Sequence, residues 1–147
     1  MPEEVFLFVS RLTPMVNVDL LIRDEKERVL LAWRDDEFCG RGWHIPGGIV
    51  RFKEKLTSRI QKVALSEVGV EVQYNPDPVA INEIVIERKN RGHFISFLYN
   101  CFLSGSFVPD NKMLCPEENG YLQWHDSCPE NLLKVQDIYR KYLLKKN

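Results

Sequence analysis

The chain has 147 residues, 44% hydrophobic and 28% charged, with 20 basic against 21 acidic side chains and a formal charge of −1. That length suits one domain, residues 1–147, able to bury a core without disulfide or metal staples, and the charge balance lacks the basic excess of a nucleic-acid binder. No apolar run approaches the roughly 18 residues of a membrane span, and Pro2-Glu3-Glu4 is acidic where a signal peptide is basic.

In chain order, residues 4–10 predict a short helical turn stopped by Pro14. Residues 16–22 and 28–34 are both rich in aliphatic and β-branched side chains. The polar break Asp24-Glu25-Lys26-Glu27 between them predicts a β-hairpin. Residues 35–42 read as a loop leading into Trp43-His44-Ile45-Pro46-Gly47-Gly48. From Lys53 to Val68 the period changes: Leu56, Ile60, Val63, Ala64 and Val68 fall on one stripe and predict a helix, which Gly69 ends. The turn-rich Asn75-Pro76-Asp77-Pro78 precedes strands at 80–87 and 93–103, joined by a turn at 90–92. A last short strand is expected at 121–125. Pro129 is expected at the first position of a terminal helix, with Leu132, Val135, Ile138, Tyr139, Tyr142 and Leu143 on its apolar face. Lys141, Lys145 and Lys146 suit the negative end of that helix. The element order implies a mixed α/β chain with a mixed or antiparallel sheet and no internal repeat. Cys39, Cys101, Cys115 and Cys128 form no Cys-x-x-Cys pair and read as free thiols of a reducing, cytoplasmic compartment.

The stretch that carries chemistry is Gly48, five residues, Glu54, seven residues, then Lys62-Val63-Ala64-Leu65-Ser66-Glu67-Val68-Gly69-Val70. An acid on a helix beside a glycine turn can serve a hard divalent cation, since Mg²⁺ takes hard oxygen ligands while keeping several waters. Positions 63, 66 and 67 share one helical face, and only Glu67 among them is a carboxylate. The Pro46-Gly47-Gly48 turn offers a backbone carbonyl nearby, which leaves ligands for about one ion. Val63 joins the apolar stripe, and Glu54 is expected to pair with Lys62.

This stretch resembles the Nudix box, here spanning 48–70. Glu54, Ala64, Glu67, Gly69 and Val70 match it, Lys62 stands for an arginine, and Val63 and Ser66 stand for glutamates. The pattern of loss is most similar to the GDP-mannose mannosyl hydrolases. The resemblance extends through Thr13-Pro14-Met15-Val16-Asn17-Val18-Asp19, Val29 to Arg34, Gly42 to Gly48, Pro116 to Trp124 and Asn131 to Leu143. It implies an α/β/α sandwich with a mixed β-sheet between helices, and a homodimer. It also implies Mg²⁺-dependent hydrolysis of a nucleoside diphosphate sugar, with water attacking the anomeric carbon and GDP leaving.

By position, Gly47 and Glu67 would be metal ligands, with Glu118 where that group has a glutamine ligand. Asp19, Arg34 and Trp43 would contact substrate, and Arg34, Lys62 and Glu118 would assist catalysis. Lysine at 62 keeps the charge but loses the arginine fork. Two departures bear on activity. Ile49 replaces an arginine after the glycine pair, and Asn119 replaces the histidine base, a loss of roughly 10²–10⁴ in rate. His44, His93 and His125 read as structural, and Trp33, Trp43 and Trp124 as core or pocket wall. A conventional pyrophosphohydrolase cleaving at phosphorus and a catalytically silent nucleotide-sugar-binding domain stay open as alternatives.

Overall fold

Side chains that alternate along the central strands make both faces of one sheet apolar, and this alternation organises the fold. The computed structural model describes residues 2–144. Helix α1 spans Glu3–Val9, and strands β1 to β4 span Met15–Arg23, Val29–Asp36, Gly40–His44 and Gly47–Ile49. Helix α2, Leu56–Val63, runs on into a π-helical turn, Ala64–Val68. Strands β5 to β8 follow at Gln73–Tyr74, Ala80–Val85, His93–Phe102 and Leu122–His125. A 3₁₀ turn, Lys134–Tyr139, leads into a short helix α3, Arg140–Leu143.

The sheet is mixed. Its central order is β3-β2-β1-β7-β5, with β4 beside β1, β6 beside β7 and β8 beside β2. The β1–β7 pair is parallel over its whole length, and the other pairs are antiparallel. Val18, Leu20 and Ile22 face α2 with Leu30, Ala32, Tyr99 and Cys101, packed on Ile60, Val63, Ala64 and Val68. Leu21, Leu31, Trp33 and Leu98 face the opposite side, covered by Leu132, Tyr139 and Leu143. This is the expected layered α/β arrangement, with the sheet between the Leu56–Val68 helical segment and the C-terminal turns.

Several expectations are corrected in detail. The β1–β2 hairpin closes at its turn, where Asp24 Oδ1 accepts the N–H groups of Lys26 and Arg28 and Oδ2 accepts Arg28 Nε. Beyond Arg23 opposite Val29 the two strands part. β4 takes the vacated edge of β1, pairing Gly47 with Asp19 and Gly48 with Val18. Residues 35–42 are not a long loop: β2 and β3 form a second hairpin from Ala32 opposite His44 to Asp36 opposite Gly40, with Gly40 at φ +86°.

Helix α2 starts at Leu56 rather than Lys53. Glu54 is drawn back by the Arg51 N–H at 2.9 Å, and Lys53 sits at φ +61°. Pro129 starts no helix. The backbone at 131–133 pairs with Trp43 instead, with Trp43 N–H to the Asn131 carbonyl and Leu133 N–H to the Trp43 carbonyl. Leu132 is therefore buried from an extended segment, and helical turns begin only at Lys134. The reading of Lys145 and Lys146 lies outside the described residues.

Candidate active site

Gly47 and Gly48 carry the short strand β4 across one end of β1, and the site is built on that crossing. Leu20 N–H donates to the Pro46 carbonyl and Val50 N–H to the Val16 carbonyl. Residues 46, 48 and 50 therefore face β1. In an antiparallel ladder the intervening residue turns both its N–H and its C=O the other way. The Gly47 N–H does so, donating to Glu67 Oε2 at 3.1 Å. Its carbonyl lies on the same edge of the strand. Glycine is required there, because a Cβ on Gly47 would meet the Asp19 carboxylate and lie 2.9 Å from the Val18 carbonyl. Gly48 is held by a different neighbour: a Cβ there would lie 2.8 Å from a Val63 methyl. Val63 is thus packed hydrocarbon at the place of a box carboxylate.

Glu67 projects from the π-helical turn, where the Gly69 N–H reaches the Ala64 carbonyl five residues back at 2.9 Å. Such bulges recur at functional sites. Burial pushes the Glu67 carboxyl up to about 7, against the lowering influence of Arg34 and the Gly47 N–H. Asp19 is buried one strand away. Its Oδ2 accepts Ser96 Oγ at 2.5 Å and the Tyr139 hydroxyl, and its Oδ1 accepts Asn17 Nδ2 at 2.9 Å. Burial raises this carboxyl too, opposed by the three hydrogen bonds and the Arg34 charge.

Two adjoining cavities meet at this group. One, of about 390 Å³, is lined by Asn17, Asp19, Gly47 and Ile49, and the other, of about 460 Å³, by Glu67, Asn111 and Asn119. Arg34 and His44 line both. The Arg34 guanidinium is half-exposed, 3.6 Å from Asp36 Oδ2. His44 is buried with no hydrogen-bond partner on either ring nitrogen. Desolvation drives its pKa down to about 3, so the ring is neutral at pH 7.

The structure therefore brings Asp19, Arg34, Gly47 and Glu67 together. It does not bring the other expected residues to them. Lys62 Nζ is bound to Glu54 Oε1 at 2.8 Å, as the pairing expectation has it, and lines neither cavity. Trp43 is in the core, edge-on to Trp33 at 5.2 Å and His125 at 4.5 Å, and lines neither cavity. Glu118 is exposed on the loop before β8 and lines neither cavity, beside Asn119 and Gly120, which line the second. Asn119 is engaged structurally, accepting the Asp35 N–H at 2.6 Å and donating to the Asp35 carbonyl at 2.8 Å. Ser96 and Tyr139, which hold Asp19, carry no motif. Their only signal is indirect, since a carboxylate in an apolar strand must find partners.

A family model for the NUDIX domain matches residues 13–143. The chain belongs to the Nudix family. Its fold is similar to that of a MutT protein from Methanosarcina mazei, with TM-score 0.64 at 18% identity over 89% of this chain and 94% of that one. It is also similar to a possible asymmetric diadenosine tetraphosphate hydrolase from Jonesia denitrificans, with TM-score 0.66 at 20% identity over 92% and 99%. These structures share the Nudix fold. A sequence relative is the low-salt glycan biosynthesis protein Agl8 of Haloferax volcanii, 39% identical over 71 residues. That match spans 48% of this chain and 45% of the relative. Nudix hydrolases act on nucleotide-derived substrates and generally use a divalent metal such as Mg²⁺.

The donors fit one such ion. Glu67 offers a carboxylate and Gly47 a carbonyl on the same edge, and hard oxygen ligands completed by water and substrate phosphate suit Mg²⁺. Among the described residues no group of three or more histidine, cysteine or acidic side chains gathers for a metal.

Proposed function

We propose that this Nudix protein is a Mg²⁺-dependent hydrolase of nucleoside diphosphate sugars, releasing free sugar and GDP from a substrate such as GDP-mannose. The observation that carries this reading is the single carboxylate, Glu67, beside the Gly47 edge, with Val63 packed where a further acidic ligand would stand. One ion suits stabilisation of a leaving diphosphate better than the paired ions that clamp attack at phosphorus. Glu67 and the Gly47 carbonyl would hold Mg²⁺, which supplies Lewis-acid stabilisation of charge on the departing phosphate oxygens. Arg34 faces the same space with a fixed cation and stabilises the same charge. Asp19, locked by Ser96, Tyr139 and Asn17, keeps the Gly47 strand in register and orients the Asn17 amide at the cavity wall. In the reaction, the oxygen of water bonds to the anomeric carbon as the carbon–oxygen bond to diphosphate breaks. The electron pair leaves with GDP, and the water proton passes to solvent. The part-length likeness to a glycan biosynthesis protein supports a sugar-nucleotide substrate.

A nucleotide-sugar-binding domain without turnover is the second reading. It is favoured by Asn119, whose amide is consumed by the Asp35 backbone and offers no base. The single-domain extent, homodimer, cytoplasmic location and absence of nucleic-acid partners belong to the same proposal, and sedimentation of the purified chain tests the dimer. The deciding experiment is NMR of GDP-mannose with Mg²⁺ in ¹⁸O-labelled water. Labelled free sugar with unlabelled GDP is the expected result. Label in GMP or sugar phosphate would overturn it in favour of cleavage at phosphorus, and binding without product would favour the silent domain.

A further inference from the structure

The segment after β4 and the β6–β7 connection deliver three arginines, Arg51, Arg88 and Arg91, to the lining of the cavity that holds Asp19 and Arg34. Among the described residues none of the three forms an ion pair with a carboxylate. Neutral groups hold them instead. Arg51 Nη1 donates to the Ile49 carbonyl at 3.2 Å, and its guanidinium stands 6.0 Å from the Phe6 ring centroid. Arg91 lies over the same ring at 5.6 Å and over Phe38 at 5.7 Å. Arg88 Nη1 donates to the Phe38 carbonyl at 3.2 Å, while its Nε is buried without a partner. Helix α1 is pinned in place beneath them, since Ser10 Oγ accepts the Arg91 N–H at 3.1 Å. Carbonyls and aromatic faces fix these side chains without neutralising them.

The charge balance of the cavity follows. Four guanidiniums line the cavity, and its one lining carboxylate, Asp19, is already engaged by Ser96, Tyr139 and Asn17. Arg34 is paired outside it with Asp36, which leaves Arg51, Arg88 and Arg91 without a carboxylate partner. Like charges converging on one concave space raise its potential and concentrate anions there. A cavity of about 390 Å³ is of small-ligand size, and guanidinium forks match phosphate oxygens. We infer that Arg51, Arg88 and Arg91, delivered from three places in the chain, form a diphosphate-binding rim on a wall where Ile49 supplies no charge. This rests on the proposed nucleoside diphosphate sugar substrate and names the residues that would grip its diphosphate.

The test is titration calorimetry on the full chain in EDTA, so that metal makes no contribution, with inorganic pyrophosphate, GDP and guanosine as probes. The Arg51→Gln and Arg91→Gln variants are expected to weaken pyrophosphate and GDP binding about 10-fold each. The double variant should also flatten the dependence on salt, and guanosine binding should not change. Arg91→Lys, which keeps the charge, should lose less than Arg91→Gln. A thermal melt confirms that each variant is folded. Unchanged pyrophosphate affinity in the folded double variant, or no pyrophosphate binding by the unmodified chain, would overturn the rim. If GDP-mannose is not turned over while pyrophosphate binding still needs the arginines, the hydrolase reading fails and the rim stands. Turnover with an unchanged KM in the double variant gives the reverse.

Discussion

Asp19 and Glu67 show how one position can be set by contacts far along the chain. Asp19 is satisfied by Ser96 and Tyr139, 77 and 120 residues away, and the Gly47 N–H ties Glu67 to the strand beside it. Asp19 is displayed from the sheet and Glu67 from the helical segment packed on it, and Gly47 touches both. A Glu67→Gln variant keeps the size and the acceptor for the Gly47 N–H, so its melting temperature should stay within a few degrees of the parent. The proposed Mg²⁺-dependent activity should fall by about 10²-fold or more, because the one carboxylate proposed to hold the ion is gone. Full activity in that variant would remove the metal assignment. Glu67, Gly47 and Asp19 were legible because box spacing and an acid inside an apolar strand are visible in one dimension. The Lys62–Glu54 pair was legible too, whereas the packing of Trp43 against Trp33 and the exposure of Glu118 depend on where each side chain points.

At the scale of elements, the segment from α2 through the π-helical turn combines a packed stripe with a strained exit. Ile60 and Val63 lock the helix onto the sheet, and the stripe read from the sequence is the one that is buried. Gly69 ends it at φ +94°, with nothing within 4 Å of where a Cβ would lie. A Gly69→Ala variant therefore meets no clash, and its cost is conformational alone, about 1–2 kcal/mol. Urea unfolding should show a lower midpoint at unchanged slope, and no loss of stability would show that this exit is unstrained. The terminal helix was over-read for a physical reason. Its apolar residues have helical spacing, but the backbone at 131–133 gains more by pairing with Trp43, so Leu132 is buried from an extended segment.

For the whole molecule, the buried and paired titratable groups set the response to acid in the metal-free protein. Glu54, held by Lys62, the Arg51 N–H and Arg59, has its carboxyl lowered from 4.5 to about 2. Its contribution is present above about pH 4.5 and is lost as pH falls toward 2. His44, lowered from 6.5 to about 3, takes its proton more readily when unfolded, so it also withdraws stability as pH falls from 6.5 through 3. Glu67, raised from 4.5 to about 7, acts oppositely between those values, as does Asp19, whose carboxyl burial also raises. Asp24, lowered mainly by Arg28 against its own desolvation, adds to the loss at low pH. Stability should accordingly vary little between about pH 7 and 4.5 and fall steeply below. Thermal melts across pH 2–8 check this, with Glu54→Gln expected to shallow the acid limb. An acid limb unchanged by that substitution would remove Glu54 from the account.

By itself, the sequence determined the family, the strand and helix inventory in outline, the α2 stripe and Glu67 as the one acid among positions 63, 66 and 67. These are properties of spacing, and both the periodicity of burial and the Nudix box are written along the chain. Tertiary structure alone decided the parting of β1 from β2, the partners of Asp19 and the packing of Val63 against Gly48. It also decided the meeting of Arg51, Arg88 and Arg91 with Arg34 around one cavity. Residues tens of positions apart become neighbours only when the sheet sets its register, and no local pattern encodes that distance.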